Sequence, residues 1–281
     1  MGKTVEMQET RFRKVVSVAD GNFNLAEAAL LIAAPEYPGL DINACLQSLD
    51  DMATVCRGRL GSSPGHAQTL VALGDFLFRD LGFHGDLKTF TDPRNSFLNE
   101  VLQRRCGIPI SLSVVYMEVG RRLGLPVHGI SFPGHFLVKV EIEGGDRVVD
   151  PFGAGVVLER AELEQRLENV AAPQGQWNLE QLLAPASKSE IVTRMLRNLK
   201  NIYVNADDYG RALRIQELIL AVQPDAPREL RDRALLHDKM DYLRAAVADY
   251  QTYLLLAPDA EDGARVRDRI SALRQSLQRL H

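Results

Sequence analysis

Apolar residues recur at helical spacing through most of the chain and switch to a strand period only in a short central stretch. RFRKVVSVAD and LAEAALLIAA carry the helical spacing, the second capped by Asn24 and stopped by the turn from Pro35 to Pro38. Asp41 caps INACLQSLDDMATVCRGRL, whose residues Ile42, Cys45, Leu46, Leu49, Met52, Ala53 and Cys56 form one apolar face. HAQTLVALGDFLFRDLG predicts a helix ending at Gly82. A polar, turn-rich stretch follows over residues 83–94, then a short helix over residues 96–105. Pro109 suits the first turn of the next helix, where its missing N–H costs nothing, and Gly124 stops that helix after Arg122. Apolar residues occupy several of its sides, which predicts a central rather than a peripheral helix.

The period then changes. VHGISF reads as a strand. In HFLVKVEI the even positions Phe136, Val138, Val140 and Ile142 are apolar, whereas the odd ones include His135, Lys139 and Glu141. That predicts a strand with one buried face and His135 on the other. Glu143-Gly144-Gly145-Asp146 is a hairpin signal, and RVVDPF is the return strand. A two-residue loop makes paired positions sum to an odd number, which sets His135 diagonally from Asp150 on one face. After Leu158 the chain is helical again, with a linker around Trp177 between Pro173 and Pro185. Asp208-Tyr209 and Asp241-Tyr242 open similar helices that end at Pro224 and Pro258. The spacing is about 33–34 residues, the tetratricopeptide period, and such helix pairs stack into surfaces for protein contacts.

These elements predict an α+β fold: a helical N-terminal region, a central helix packed on a small antiparallel sheet, and a C-terminal helical-repeat tail. Residues 1–186 are expected to form the first domain and residues 187–281 the second. Composition narrows the function. Hydrophobic residues are 46% and charged ones 25%, with a net charge of −4, so no nucleic-acid or anionic-membrane surface is expected. No apolar run is long enough for a membrane span, and the first residues carry no apolar leader. Three cysteines, Cys45, Cys56 and Cys106, fit a reducing cytoplasm better than a disulfide framework. Cys45 and Cys56 fall on a core face. No metal-ligand spacing occurs, so neither metal nor cofactor is expected.

The chemistry lies in residues 104–155, where a histidine after Pro-Gly and an aspartate before Pro-Phe outline a thiol-enzyme site. The core GIPISLSVVYMEVGRRLGLPVHGISFPGHFLVKV with VVDPFGAG resembles the bacterial SirB-type proteins, as do EAALLIAAPEYPGLDINACLQSLDDMA, RMLRNLKNIY and RDRALL. That resemblance spans residues 20–275 and implies a transglutaminase-like, papain-related core with a tetratricopeptide-like tail. It further implies a Cys–His–Asp triad, with the cysteine roughly a dozen residues before a G-[IL]-P. Here that position is Ser111, with Ser113 close by, while His135 and Asp150 match the other two members.

A site shaped to hold a thiolate–imidazolium pair need not deprotonate a serine. Cys106 is the rival nucleophile, ahead of the central helix and beside Arg104 and Arg105, whose charges would favour a thiolate. Three readings follow. The first is a binding or regulatory module without thiol catalysis, which meets a protein partner through the helical repeats. The second is an amide or ester hydrolase or acyltransferase using Ser111 or Cys106 with His135 and Asp150. The third is a structural scaffold in which His135 and Asp150 only stabilise the hairpin. The sequence leaves the oligomeric state open.

Overall fold

The structure is a computed structural model that describes residues 2–18, 22–170 and 178–279. Residues 171–177 of the linker expected between Pro173 and Pro185, and the C-terminal His281, lie outside the described residues, whereas the rest of that linker holds the short helix Leu179–Leu182. The chain divides into two compact units, residues 1–195 and 196–281. The expected boundary at 186/187 lies just before the helix Lys188–Asn205, within which this division falls.

The first unit opens with helices α1 (Gly2–Val16), α2 (Leu25–Ala33) and α3 (Ile42–Arg57). Asn24 and Asp41 cap α2 and α3 as their positions predict, each accepting a backbone N–H at 3.0 Å. Helix α2 is apolar almost all round and buried along its length; its Glu27 is held by Arg11 at 2.6 Å. Helix α4 (His66–Gly74) runs into a π-helical turn over Asp75–Asp80, so the single helix expected to Gly82 changes geometry midway.

The stretch expected to be only polar turn contains β1 (His84–Gly85), which pairs in parallel with β2 (Cys106–Gly107) on either side of α5 (Leu98–Arg104). Helix α6 (Pro109–Arg122) follows, and every residue from Pro109 to Gly120 is buried. It is central, as its composition predicts. Gly124, at φ +89°, ends the turn after it.

Strands β3 (Val127–Ile130), β4 (Leu137–Val140), β5 (Arg147–Asp150) and β6 (Val156–Leu158) form an antiparallel sheet in that order. The β4–β5 register pairs Val138 with Val149 and Lys139 with Val148, the odd-sum pairing of a two-residue hairpin. One expectation is corrected. The sheet is covered on both faces, because Leu137, at an odd position of β4, is as buried as Val138. Val127 lies close against Gly120 of α6 and pairs with Val140, so this parity looks toward α6. The other parity, Leu137, Val148 and Leu158, packs with Leu163 and Leu167 of α7 (Arg160–Val170) and Leu179 of α8 (Leu179–Leu182). Two covered faces make near-continuous apolar strands, which weakens the alternation that sequence reading relies on.

Helix α9 (Lys188–Asn205) leads into the second unit, built from α10 (Tyr209–Val222), α11 (Pro227–Lys239), α12 (Leu243–Leu256) and α13 (Gly263–Arg279). The repeat is visible in the backbone. Asp207 and Asp241 both take left-handed φ values, 55° and 58°, one repeat apart. The C-caps Gln223 and Ala257 share φ near −134° and −133°. Ala234, Ala246, Tyr250, Tyr253, Val266 and Ile270 form an apolar core cluster in this unit.

Candidate functional site

The turn before β4 and the end of β5 bring His135 and Asp150 together. His135 follows a tight turn: Gly134 takes φ +69°, and the His135 N–H donates to the Phe132 carbonyl at 3.1 Å. Arg194 of α9 clamps the same turn, donating to the His135 carbonyl at 2.6 Å with its guanidinium over the Phe136 ring. Asp150 is 2% exposed, yet four donors surround it. His135 Nε2 meets Oδ1 at 2.8 Å, Arg166 Nη1 donates to Oδ2 at 2.8 Å, and the Phe152 and Gly153 N–H groups donate to Oδ1 at 3.1 Å. Burial pushes the Asp150 carboxyl up. The hydrogen bond and charge of His135, with Arg166 and the Gly153 N–H, outweigh that and hold it below the usual carboxylate range. A carboxylate accepts only, so His135 presents a proton to it from Nε2.

Ser111 has other partners. Its hydroxyl is fully buried in the first turn of α6. It donates to the Asn95 carbonyl at 2.6 Å and accepts the Ile108 N–H at 3.1 Å, the reciprocal half of a capping box. No hydrogen bond joins it to His135 among the described residues. The pleat gives the reason for part of this. Asp150 has the parity of Val148, the α7 face, and Arg166 of α7 reaches it there. The Phe152 ring stands edge-on to His135 with centroids 5.8 Å apart and presses on Gly85, where a Cβ would lie 2.5 Å away. Gly85 pairs with Gly107, and a Cβ on Gly107 would lie 2.7 Å from Ser111 Oγ. Ser113, next along α6, lies 3.5 Å from the Phe136 carbonyl.

Cys106 sits in β2, 8% exposed, and makes no hydrogen bond to His135. The expectation that neighbouring arginines favour its thiolate is corrected. Burial, then the charge of Asp86, push the thiol up, and Arg104 offsets them only in part. Arg104 spends its guanidinium on Asn95 Oδ1 at 3.1 Å, and Arg105 lies over the Phe83 ring. Cys45 and Cys56 are likewise pushed up, chiefly by burial.

Sequence reasoning missed three residues. Arg166 stands between Leu163 and Leu167, at the edge of the apolar face of α7, and that position was its only signal. Arg194 gave none. Asn95 resembles a helix cap in PRNSFL but is a fully buried hub. Its Nδ2 donates to Asp86 at 2.9 Å and to the Thr89 carbonyl at 2.8 Å, and its own carbonyl takes the Ser111 proton.

Ser111→Ala is expected to destabilise the fold by about 1–2 kcal/mol, the cost of a lost cap, read from the denaturant midpoint. Ser111→Cys is expected to stay inert to a thiol reagent until the protein unfolds. Rapid labelling of the folded variant would show that the position opens to solvent. No group of three or more His, Cys, Asp or Glu residues able to hold a metal occurs among the described residues.

Comparison with known proteins agrees with this anatomy. The family described as the transglutaminase-like superfamily matches residues 43–197, and a tetratricopeptide repeat family matches residues 199–271. A UPF0162 protein of Xylella fastidiosa (strain Temecula1) is 38% identical over 91% of this chain and 92% of its own length. The UPF0162 protein PA3419 of Pseudomonas aeruginosa is 31% identical over 89% of this chain and 90% of its own. Protein SirB1 of Salmonella typhimurium is 24% identical over 94% of this chain and 99% of its own. With a buried four-strand core, a His135–Asp150 pair and helical repeats in place, the chain belongs to the transglutaminase-like superfamily and, within it, to the UPF0162/SirB1 family.

Proposed function

We propose that this protein is a binding or regulatory module whose transglutaminase-like core works without a nucleophile and whose helical repeats engage a protein partner. The observation that carries this reading is the Ser111 hydroxyl, sealed from solvent with the Asn95 and Ile108 carbonyls as its acceptors. A nucleophile must reach its base and its substrate. The repeat unit supports the second half. One cleft of about 370 Å³ has an apolar lining at Leu235, Tyr250 and Val266, edged by Arg231 and Arg269. A second, of about 740 Å³, is lined by Arg197, Arg228, Tyr253 and Arg265. The apolar floor of the first cleft suits apolar side chains of a bound protein segment, and the mainly charged lining of the second suits polar ones.

The hydrolase or acyltransferase reading keeps one observation in its favour, the oriented His135 held by Asp150. Covalent probes separate the two. A fluorophosphonate and iodoacetamide are expected to leave Ser111 and Cys106 unlabelled in the folded protein. Labelling of either residue that disappears in His135→Ala would overturn the binding reading. Leu235→Asp with Arg265→Glu is expected to lose partners that the wild-type chain holds in cross-linking experiments. Undiminished cross-links would argue against the repeats as the partner surface. A role confined to scaffolding predicts that His135→Ala lowers Tm and leaves those cross-links intact.

A further inference from the structure

The ion pairs of the second unit recur with its repeat. Arg197 of α9, Arg231 of α11 and Arg265 of α13 stand about 34 residues apart, one tetratricopeptide period each. The first two reach forward to an acid at the start of the next helix but one. Arg197 donates from Nε to Glu229 Oε1 at 2.9 Å, and Glu229 lies in the first turn of α11. Arg231 donates from Nη1 to Asp262 Oδ2 at 2.9 Å, and Asp262 directly precedes α13. Each pair is a latch between alternate helices of the array.

Arg265 breaks the series. Its side chain is 84% exposed, against 49% for Arg197 and 33% for Arg231. It meets Asp262 only at 3.8 Å, and Asp262 is already taken by Arg231 and the Tyr253 hydroxyl. As α13 is the last described helix, no acid among the described residues stands to Arg265 as Glu229 and Asp262 stand to the other two. Cations dominate the exposed residues of α13, where Arg265, Arg267, Arg274 and Arg279 outnumber the one acid, Asp268. Arg265 also lines both clefts of the unit, and the larger offers about 740 Å³ beside it. Asp259 and Glu261 line that cleft from the loop before α13, so a densely acidic ligand is repelled and one acid among neutral residues is preferred.

We infer that Arg265 is a vacant latch, and that it docks a helical segment of a partner protein whose first turn carries one acid, seated on Arg265 as Glu229 is on Arg197. The inference rests on the binding reading above and names the partner's chemistry. The occupant follows from the series. Twice in this unit an arginine at this repeat position holds a carboxylate at a helix start, a place where the helix dipole also favours an acid. A guanidinium grips a carboxylate through paired N–H donors, which fixes direction as well as strength. The cleft beside Arg265 gives the rest of the segment room.

The test uses the full chain. A library of helical peptides displayed on phage, randomised over the first turn, is panned on the immobilised protein, and the affinities of enriched peptides are measured by fluorescence anisotropy. The expected result is peptides with a single Asp or Glu in that turn, bound less tightly as salt rises. Arg265→Glu should weaken them by about tenfold or more, as a like charge at the contact does. A peptide whose acid is changed to Lys should bind Arg265→Glu better than it binds the wild type, a restoration that only a direct pair gives. Leu235→Asp should weaken the enriched peptides less than Arg265→Glu does. Arg265→Gln, checked by an unchanged circular dichroism melt, guards against a folding artefact.

Three outcomes overturn the inference. One is enrichment no better than on bare support. Another is peptides without an acid that ignore Arg265→Glu but are lost with Leu235→Asp, which keeps the repeats as a binding surface while removing the latch. The third is wild-type self-association in sedimentation that Arg265→Glu abolishes, which makes the occupant a second copy.

Discussion

Asp150→Ala is expected to destabilise the folded protein by about 3–5 kcal/mol, the cost of removing one partner from a buried charged network. The carboxylate is 2% exposed and serves His135, Arg166 and two backbone N–H groups. Its loss leaves the Phe152 and Gly153 N–H groups unpaired and the Arg166 charge without its partner. Chemical denaturation measures the effect, and a loss under about 1 kcal/mol would show that water replaces the carboxylate freely. The same network sets a pH dependence. The folded-state pKa of Asp150 lies below its ordinary value, so the stability it contributes is complete above that value. It is lost as pH falls below about 4 toward the depressed pKa. Wild-type Tm should therefore drop more steeply than that of Asp150→Ala below about pH 4, although the variant starts lower. Parallel curves would exclude Asp150 as the titrating group.

Gly155→Ala is expected to cost about 2–4 kcal/mol, a left-handed strain plus an overpacking term. Gly155 has φ +75°, and a Cβ there would stand 2.4 Å from the Phe78 ring, which itself stacks on Tyr116 of α6 at 6.1 Å. Gly144 supplies the control. Its φ of +92° is as demanding, but a Cβ would meet nothing within 4 Å. Gly144→Ala should therefore cost only the strain, about 1–2 kcal/mol. Equal losses at the two positions would show that Phe78 moves aside without penalty. The GAG of the VDPFGAG motif thus contains a steric requirement at its second glycine, set by a ring far away in the chain.

What the sequence makes legible here is local. Asn24, Asp41, Pro109 and Gly124 act within one turn of their own helix, and each does what its residue type predicts. The hairpin register follows from its short loop, and it suffices to bring His135 to Asp150. The parts that were not legible depend on contacts distant in sequence. Two parallel residues on each side, His84–Gly85 with Cys106–Gly107, are too short to leave a period. Leu137 hid the second covered face of the sheet, because α7 and α8 bury it from residues beyond the hairpin. Neither Asn95 nor Arg194 stands in any pattern that a periodicity reads. The apparent promise of Cys106 failed for a related reason: adjacency in sequence placed two arginines beside it, while folding sent Arg104 to Asn95 and Arg105 over Phe83.

The hydroxyl of Ser111 is also a joint between two elements. A thiol at that position has a longer bond from carbon and a weaker donor, and would leave the Asn95 carbonyl poorly matched in a site with no room to adjust. One hydroxyl thus ties the start of α6 to the loop over residues 86–95, through Asn95 and its amide on Asp86, and a replacement that cannot donate to the Asn95 carbonyl loosens both ends at once.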